Sequence, residues 1–187
     1  MKDNIIYQTL QDRENPDQIE DQGPYTCNRS DAWMGTGYYF WDTFIENAHW
    51  WGNTALKKKY IITEAKVDLT LENCFDLAGN TEHMLMFSDA FDYMKSKNLA
   101  NDNTTVSRII NYLRKVDSFS FSAVRINGKN SKNKNSQPKF VLKFVMSSVA
   151  HFEMKPPIQI CFFDLKEVNF RSYRVIYPDY YSQDYQV

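Results

Sequence analysis

The 187 residues suffice for one domain with a substantial core, and 43% hydrophobic with 24% charged residues exclude an extended disordered chain. Twenty-two basic against 23 acidic residues give a formal charge of -1, which excludes a general field for holding a polyanion. No apolar run approaches membrane-spanning length and the opening residues build no signal segment, so the expectation is a single soluble, cytoplasmic domain over 1–187.

The widely spaced Cys27, Cys74 and Cys161 fit reduced thiols better than a metal set or a disulfide framework. An aromatic content of 16% implies either a thick aromatic core or a cleft walled with rings.

In chain order, NIIYQTL over residues 4–10 reads as an opening strand, and residues 11–32, with Pro16, Gly23 and Pro24, as loop with a helical turn near 17–21. Tyr38 to Trp41 is an aromatic strand. Thr43 and Glu46 have capping-box spacing ahead of a helix in which Phe44, Ala48 and Trp51 share a face. YIITEAKVDL places Ile61, Thr63, Ala65, Val67 and Leu69 at period two, the pattern of a half-buried strand.

Residues 81–97 predict a helix with Met84, Leu85 and Tyr93 among its apolar positions. Asn103 or Thr104 opens a second helix, striped by Val106, Ile109, Ile110, Leu113 and Val116. Strands follow at 119–126, 140–146, 158–165 and 173–177, with a polar connection over 127–138. Runs of strands and segregated helices make this an α+β domain.

Three separated segments carry chemistry. Tyr7-Gln8-Thr9 lies on the first strand. Gly35 and Gly37 precede Tyr38-Tyr39-Phe40-Trp41, and Ala48 is followed two positions later by Trp50. Gln159 begins a late apolar strand, with Asp164 five residues on. The glycines do not form a dinucleotide fingerprint, and there is no phosphate loop with its lysine.

In this order the segments resemble the ADP-ribosyltransferase fold, particularly its poly(ADP-ribose) polymerase and diphtheria-toxin branch. There a G-x-G-x-Y-F strand leads into a helix with a small residue followed by an aromatic. The resemblance implies an ADP-ribosyltransferase-like mixed or antiparallel split sheet with packed helices, and NAD as cofactor. It casts Tyr39 and Trp50 as the two faces of a nicotinamide sandwich, with Gly37 at the close main-chain approach. Gln8 stands where the family has histidine, Thr9 beside it is a contact for the carboxamide, and Gln159 stands where the family has its catalytic glutamate. The implied partners are NAD or ADP-ribose and a macromolecular acceptor, protein rather than nucleic acid, with no membrane.

The catalytic set under this resemblance is Gln159 and Tyr39, with Glu153, six residues upstream of Gln159, as a reserve carboxylate. A neutral Gln159 holds a ribose hydroxyl but stabilises developing positive charge less than a carboxylate, a loss of about 3 kcal/mol or a hundredfold in rate. The competing expectation is a catalytically impaired module on the same fold that binds NAD, ADP-ribose or a protein. A third is an unrelated α+β protein whose aromatics fill core. His49, His83 and His151 lack metal-ligand spacing, and Arg29 and Ser30 are loop residues placed to meet an adenosine or a phosphate.

Overall fold

The computed structural model describes residues 3–128, 141–147 and 150–183. The chain runs β1 (Asn4–Gln11), α1 (Pro16–Gln22), β2 (Tyr38–Asp42), α2 (Ile45–Trp51), β3 (Tyr60–Val67), β4 (Cys74–Asp76), α3 (Thr81–Ser96), α4 (Val106–Leu113) and β5 (Ala123–Asn127). It continues with β6 (Val141–Lys143), β7 (His151–Glu153), β8 (Ile158–Phe162), β9 (Arg171–Tyr177) and α5 (Asp179–Gln183). Seven strands form one mixed sheet in the order β4-β5-β8-β2-β1-β3-β9, with β4 parallel to β5 and the other pairs antiparallel. Among the described residues, β6 and β7 form a separate two-stranded pair.

Alternation along the strands sends successive side chains to opposite faces. Ile6, Phe40, Ala65, Val67, Ile160 and Phe162 form a core on one face. Farther along that face, Ile61 and Val175 pack with Ile19 of α1. On the other, Phe75, Val124 and Cys161 lie under Ala90 and Met94 of α3 and Ile109, Ile110 and Leu113 of α4, while Tyr7, Trp41 and Ile62 pack with Ala48 of α2. Each of these large apolar side chains contributes roughly 1.5–3 kcal/mol by burial. Because both faces are covered, Tyr60 to Thr63 are all buried, and the half-buried pattern expected of β3 holds only toward its end.

Local corrections have identifiable causes. Thr43 does not cap α2: it has a positive φ of 61°, its hydroxyl donates to Asp42, and Phe44 occupies the cap position. In α3 the buried residues are His83, Ala90 and Met94, whereas Met84, Leu85 and Tyr93 are exposed. The rotation is set by His83, whose Nδ1 accepts the Asp76 N–H at 2.9 Å while the ring stacks on Phe75. α4 is capped by Thr105, which accepts the Arg108 N–H, rather than by Asn103 or Thr104, and Val116 lies beyond its end, exposed. The strand expected at 119–126 begins only at Ala123, because Phe119 and Phe121 turn into the aromatic cluster around Phe75 and His83. Of the strand expected at 140–146, residue 140 lies outside the described residues, and among 141–146 Val141–Lys143 forms the paired strand. Most of the polar connection, with Lys129, Lys132 and Lys134, lies outside the described residues.

A charged cluster joins three strands. Arg125 donates to Asp42 at 2.8 Å and to Asp76 at 3.0 Å, and the Asp42 side chain is almost fully buried. Removing the cation strands two carboxylates in a low-dielectric setting. Arg125→Met is therefore expected to lower stability by about 3 kcal/mol, read by urea denaturation. Adding Asp42→Asn and Asp76→Asn to it should recover part of the loss.

Candidate ligand cleft

The main-chain ladder between β1 and β2 is short. Ile6 pairs with Asp42 and Tyr7 with Trp41, and no register continues past them, although β1 goes on to pair with β3 as far as Gln11. The sheet thus opens between β1 and β2 beyond Tyr7. A cavity of about 240 Å³ occupies the opening. Its walls include Gln8 and Thr9 of β1, Tyr39 and Trp41 of β2, Trp51 of α2 and Gln159 of β8, with Tyr25, Arg29, Asp31 and Trp33 from the chain between α1 and β2.

Gln8 holds this opening together. It is 5% exposed, and every hydrogen-bonding valence of its amide is used. Nε2 donates to the Tyr25 carbonyl at 3.0 Å and to the Tyr39 carbonyl at 3.4 Å. Oε1 accepts from the Tyr25 N–H at 3.3 Å and from the Tyr173 hydroxyl at 3.1 Å. Where the β1–β2 ladder stops, a side-chain amide takes over: it pairs with Tyr25 as another peptide would and reaches across to Tyr39. Burial pushes the Tyr173 phenol up to about 12, so it remains a donor. A histidine has two ring nitrogens and cannot make all four bonds.

The loop over the cavity is closed twice more. Cys27 and Gly37 exchange backbone hydrogen bonds at 2.8 and 3.1 Å. The Tyr39 hydroxyl accepts from the Met34 N–H and donates to the Gly35 carbonyl, both at 2.8 Å, at a turn where Gly35 has a φ of 93° that favours glycine. Burial raises the Tyr39 pKa well above the ordinary phenol value, so the group stays protonated in this bond. Tyr39 therefore offers the cleft its ring but no free hydroxyl. Gly37 is not at the cavity wall; a Cβ there would meet Cys161 Sγ at 2.5 Å and the Phe162 carbonyl at 2.6 Å, so its role is close approach to β8.

On the helix side, Ala48 is fully buried and its carbonyl accepts from the Thr9 hydroxyl at 3.0 Å. Trp51, three residues on, shares the Ala48 face and turns into the cleft, whereas Trp50 packs edge-on against Trp41 with centroids 6.1 Å apart and does not line it. The spacing from Ala48 was the sequence signal for Trp51. Two further contacts fix α2 against the segment preceding β8: Asn47 Nδ2 donates to the Pro156 carbonyl at 3.1 Å, and Lys155 pairs with Glu46, whose carboxyl that bond holds below its ordinary value.

Gln159 lies opposite Trp41 in the β2–β8 pair and is 9% exposed. Among the described residues its amide has no hydrogen-bond partner, in contrast to Gln8. Its amide lies at the cavity lining with donors and acceptor unspent. Asp31 is the one carboxylate among the described cleft-lining residues, and it is held by the Arg29 guanidinium at 2.6 and 2.8 Å. Glu153 lies on β7, away from the cleft lining, and Asp164 caps the turn after β8 by accepting the Lys166 N–H. Burial pushes the Cys74 and Cys161 thiols up to about 12 and leaves them inert, while Cys27 is at the cleft wall. The cleft can thus grip a flat ring bearing an amide or a similar paired donor and acceptor.

No protein-family model matches the chain, and neither the curated proteins nor the solved structures show a significant match. Its chemistry is therefore read from its own geometry. Gln8→Ala should cost about 2 kcal/mol, because it leaves the Tyr25 amide groups and the Tyr173 hydroxyl unpaired in a buried setting; thermal unfolding measures it. Hydrogen exchange should accelerate first at Tyr25, whose N–H the Gln8 amide accepts. Unchanged exchange there would contradict the role assigned to Gln8.

Proposed function

We propose that this is an NAD-binding, ADP-ribosyltransferase-like protein whose cleft takes the nicotinamide end of the dinucleotide. The observation that carries the reading is that the three segments behind the resemblance, Gln8-Thr9, Tyr39 and Gln159, converge on one aromatic-walled cavity although they stand far apart in sequence. The general architecture, a mixed sheet with packed helices, is compatible with a transferase fold of this kind. A cavity of about 240 Å³ is below the size range of pockets that enclose drug-sized ligands and suits a single substituted ring. The remainder of the dinucleotide then extends past Arg29 and Asp31.

In this reading Tyr39 and Trp51 supply ring faces to the nicotinamide, and Gln159 offers its unpaired amide to the bound molecule. Gln8 acts from behind by holding Tyr25 and Tyr39 in place. NAD would supply the scissile bond between nicotinamide and ribose, and a macromolecular acceptor, protein in kind, would receive ADP-ribose.

The same geometry favours binding over fast cleavage. Developing positive charge on the ribose is best met by a fixed carboxylate, and the cleft presents a neutral Gln159 and an Asp31 already held by Arg29. A catalytically impaired module that binds NAD or ADP-ribose is accordingly the second reading.

Calorimetric titration with NAD should give one site per chain. Trp51→Ala should weaken it by about tenfold through loss of ring contact, with Trp50→Ala closer to the parent. Absence of any NAD binding would overturn the proposal. Gln159→Glu should raise nicotinamide release by roughly tenfold or more over the parent, because it restores the missing charge; an unaltered rate would reject Gln159 as the reason for slow chemistry.

A further inference from the structure

Cys27 is the one thiol of the chain within reach of a ligand. Cys74 and Cys161 are buried, whereas Cys27 is half-buried and lies at the wall of the cleft. Its backbone is fixed: the Cys27 N–H donates to the Gly37 carbonyl at 2.8 Å, and the Cys27 carbonyl accepts from the Gly37 N–H at 3.1 Å. Residues paired in this way send their side chains to the same face, and the partner here is a glycine. The pair therefore sets no cross-strand side chain over the thiol.

A thiol at a cavity wall is not by itself a site. The second observation is Gln159 of β8, which lines the same cavity, is 9% exposed, and has no hydrogen-bond partner for its amide among the described residues. Such an amide suits a ligand that carries amides of its own. Asp31, the one carboxylate among the described cleft-lining residues, is held by Arg29, so the wall sets no free negative charge against an anionic molecule. A disulfide of a small peptide thiol, such as oxidised glutathione, matches both features: it offers a sulfur to Cys27 and peptide amides to Gln159. A cavity of about 240 Å³ holds one such group at a time.

We propose that Cys27 is a thiol–disulfide exchange site through which a peptide disulfide closes the cleft. The Cys27 thiolate attacks one sulfur of oxidised glutathione and a Cys27–glutathione S–S bond forms as the original S–S bond breaks. The second glutathione leaves as a thiolate and takes up the proton that Cys27 lost. Excess reduced thiol reverses the step. The attached peptide then occupies the space of the nicotinamide ring, a consequence that rests on the NAD reading above.

Incubation of the full chain with oxidised glutathione, followed by intact-mass and peptide mass spectrometry, tests the site. One glutathione per chain is expected, on Cys27, removed by dithiothreitol and absent from Cys27→Ser. Rates with oxidised glutathione and with methyl methanethiosulfonate, which has no amide, separate recognition from access. Gln159→Leu should lower the ratio of the two rates roughly tenfold. In calorimetry the adduct should no longer bind NAD, and dithiothreitol should restore the parent titration. No adduct on the folded chain, an adduct spread over all three cysteines, or an adduct that binds NAD as the parent does overturns the proposal. So does a rate ratio that Gln159→Leu leaves unchanged. If the parent itself does not bind NAD, the nicotinamide reading fails, and the mapping and the rate ratio still decide the exchange site.

Discussion

The buried amide of Gln8 is the constraint on which the cleft depends. An open crevice in a sheet leaves backbone donors and acceptors without strand partners, and burying them unpaired costs free energy comparable to a lost hydrogen bond each. Gln8 answers this where the β1–β2 ladder ends, bonding the Tyr25 backbone on one side and the Tyr39 carbonyl on the other, with Tyr173 on its remaining lone pair. The sheet can therefore stay open without unravelling, and the 23–37 chain is fixed over the opening. The Tyr39 hydroxyl extends the same logic by spending itself on the Met34–Gly35 turn.

What this scaffold presents to a ligand is aromatic and nearly uncharged. Gln8 and Tyr39 are committed to structure through their polar atoms, whereas Gln159 is as buried as a core residue yet has its amide free among the described residues. Because the Gln159 amide opens to the cavity, a ligand carrying its own amide can take up its donors and acceptor. The division of labour between two glutamines explains how one site can be well built for binding and poorly equipped for stabilising a cation.

The positions of β1, β2, β3, β8 and β9 were legible from their apolar and aromatic runs, whereas their order in the sheet was not, because both faces are covered and β8 buries every residue rather than alternate ones. The amphipathic stripe likewise located α4, and Ala48 with Trp51 on one helical face correctly oriented α2. Less was legible where one polar contact overrides the apolar count. His83, bonded to the Asp76 backbone, turns Met84 and Leu85 to solvent in α3. The saturation of Gln8 was invisible because its partners lie 17, 31 and 165 residues away. A sequence places a glutamine on a strand but does not count its bonds. The choice of Trp51 over Trp50 as the cleft aromatic was within reach, since it follows from the Ala48 face alone.

The claim at the centre is that the opening between β1 and β2 is a nicotinamide site. A crystal structure of the protein soaked with nicotinamide tests it most directly. The account predicts the ring against Tyr39 and Trp51 with its carboxamide bonded to the Gln159 amide, and Gln8 unmoved in its four bonds. A ligand-free crevice at saturating nicotinamide, or a ring bound elsewhere with Gln159 untouched, would contradict it.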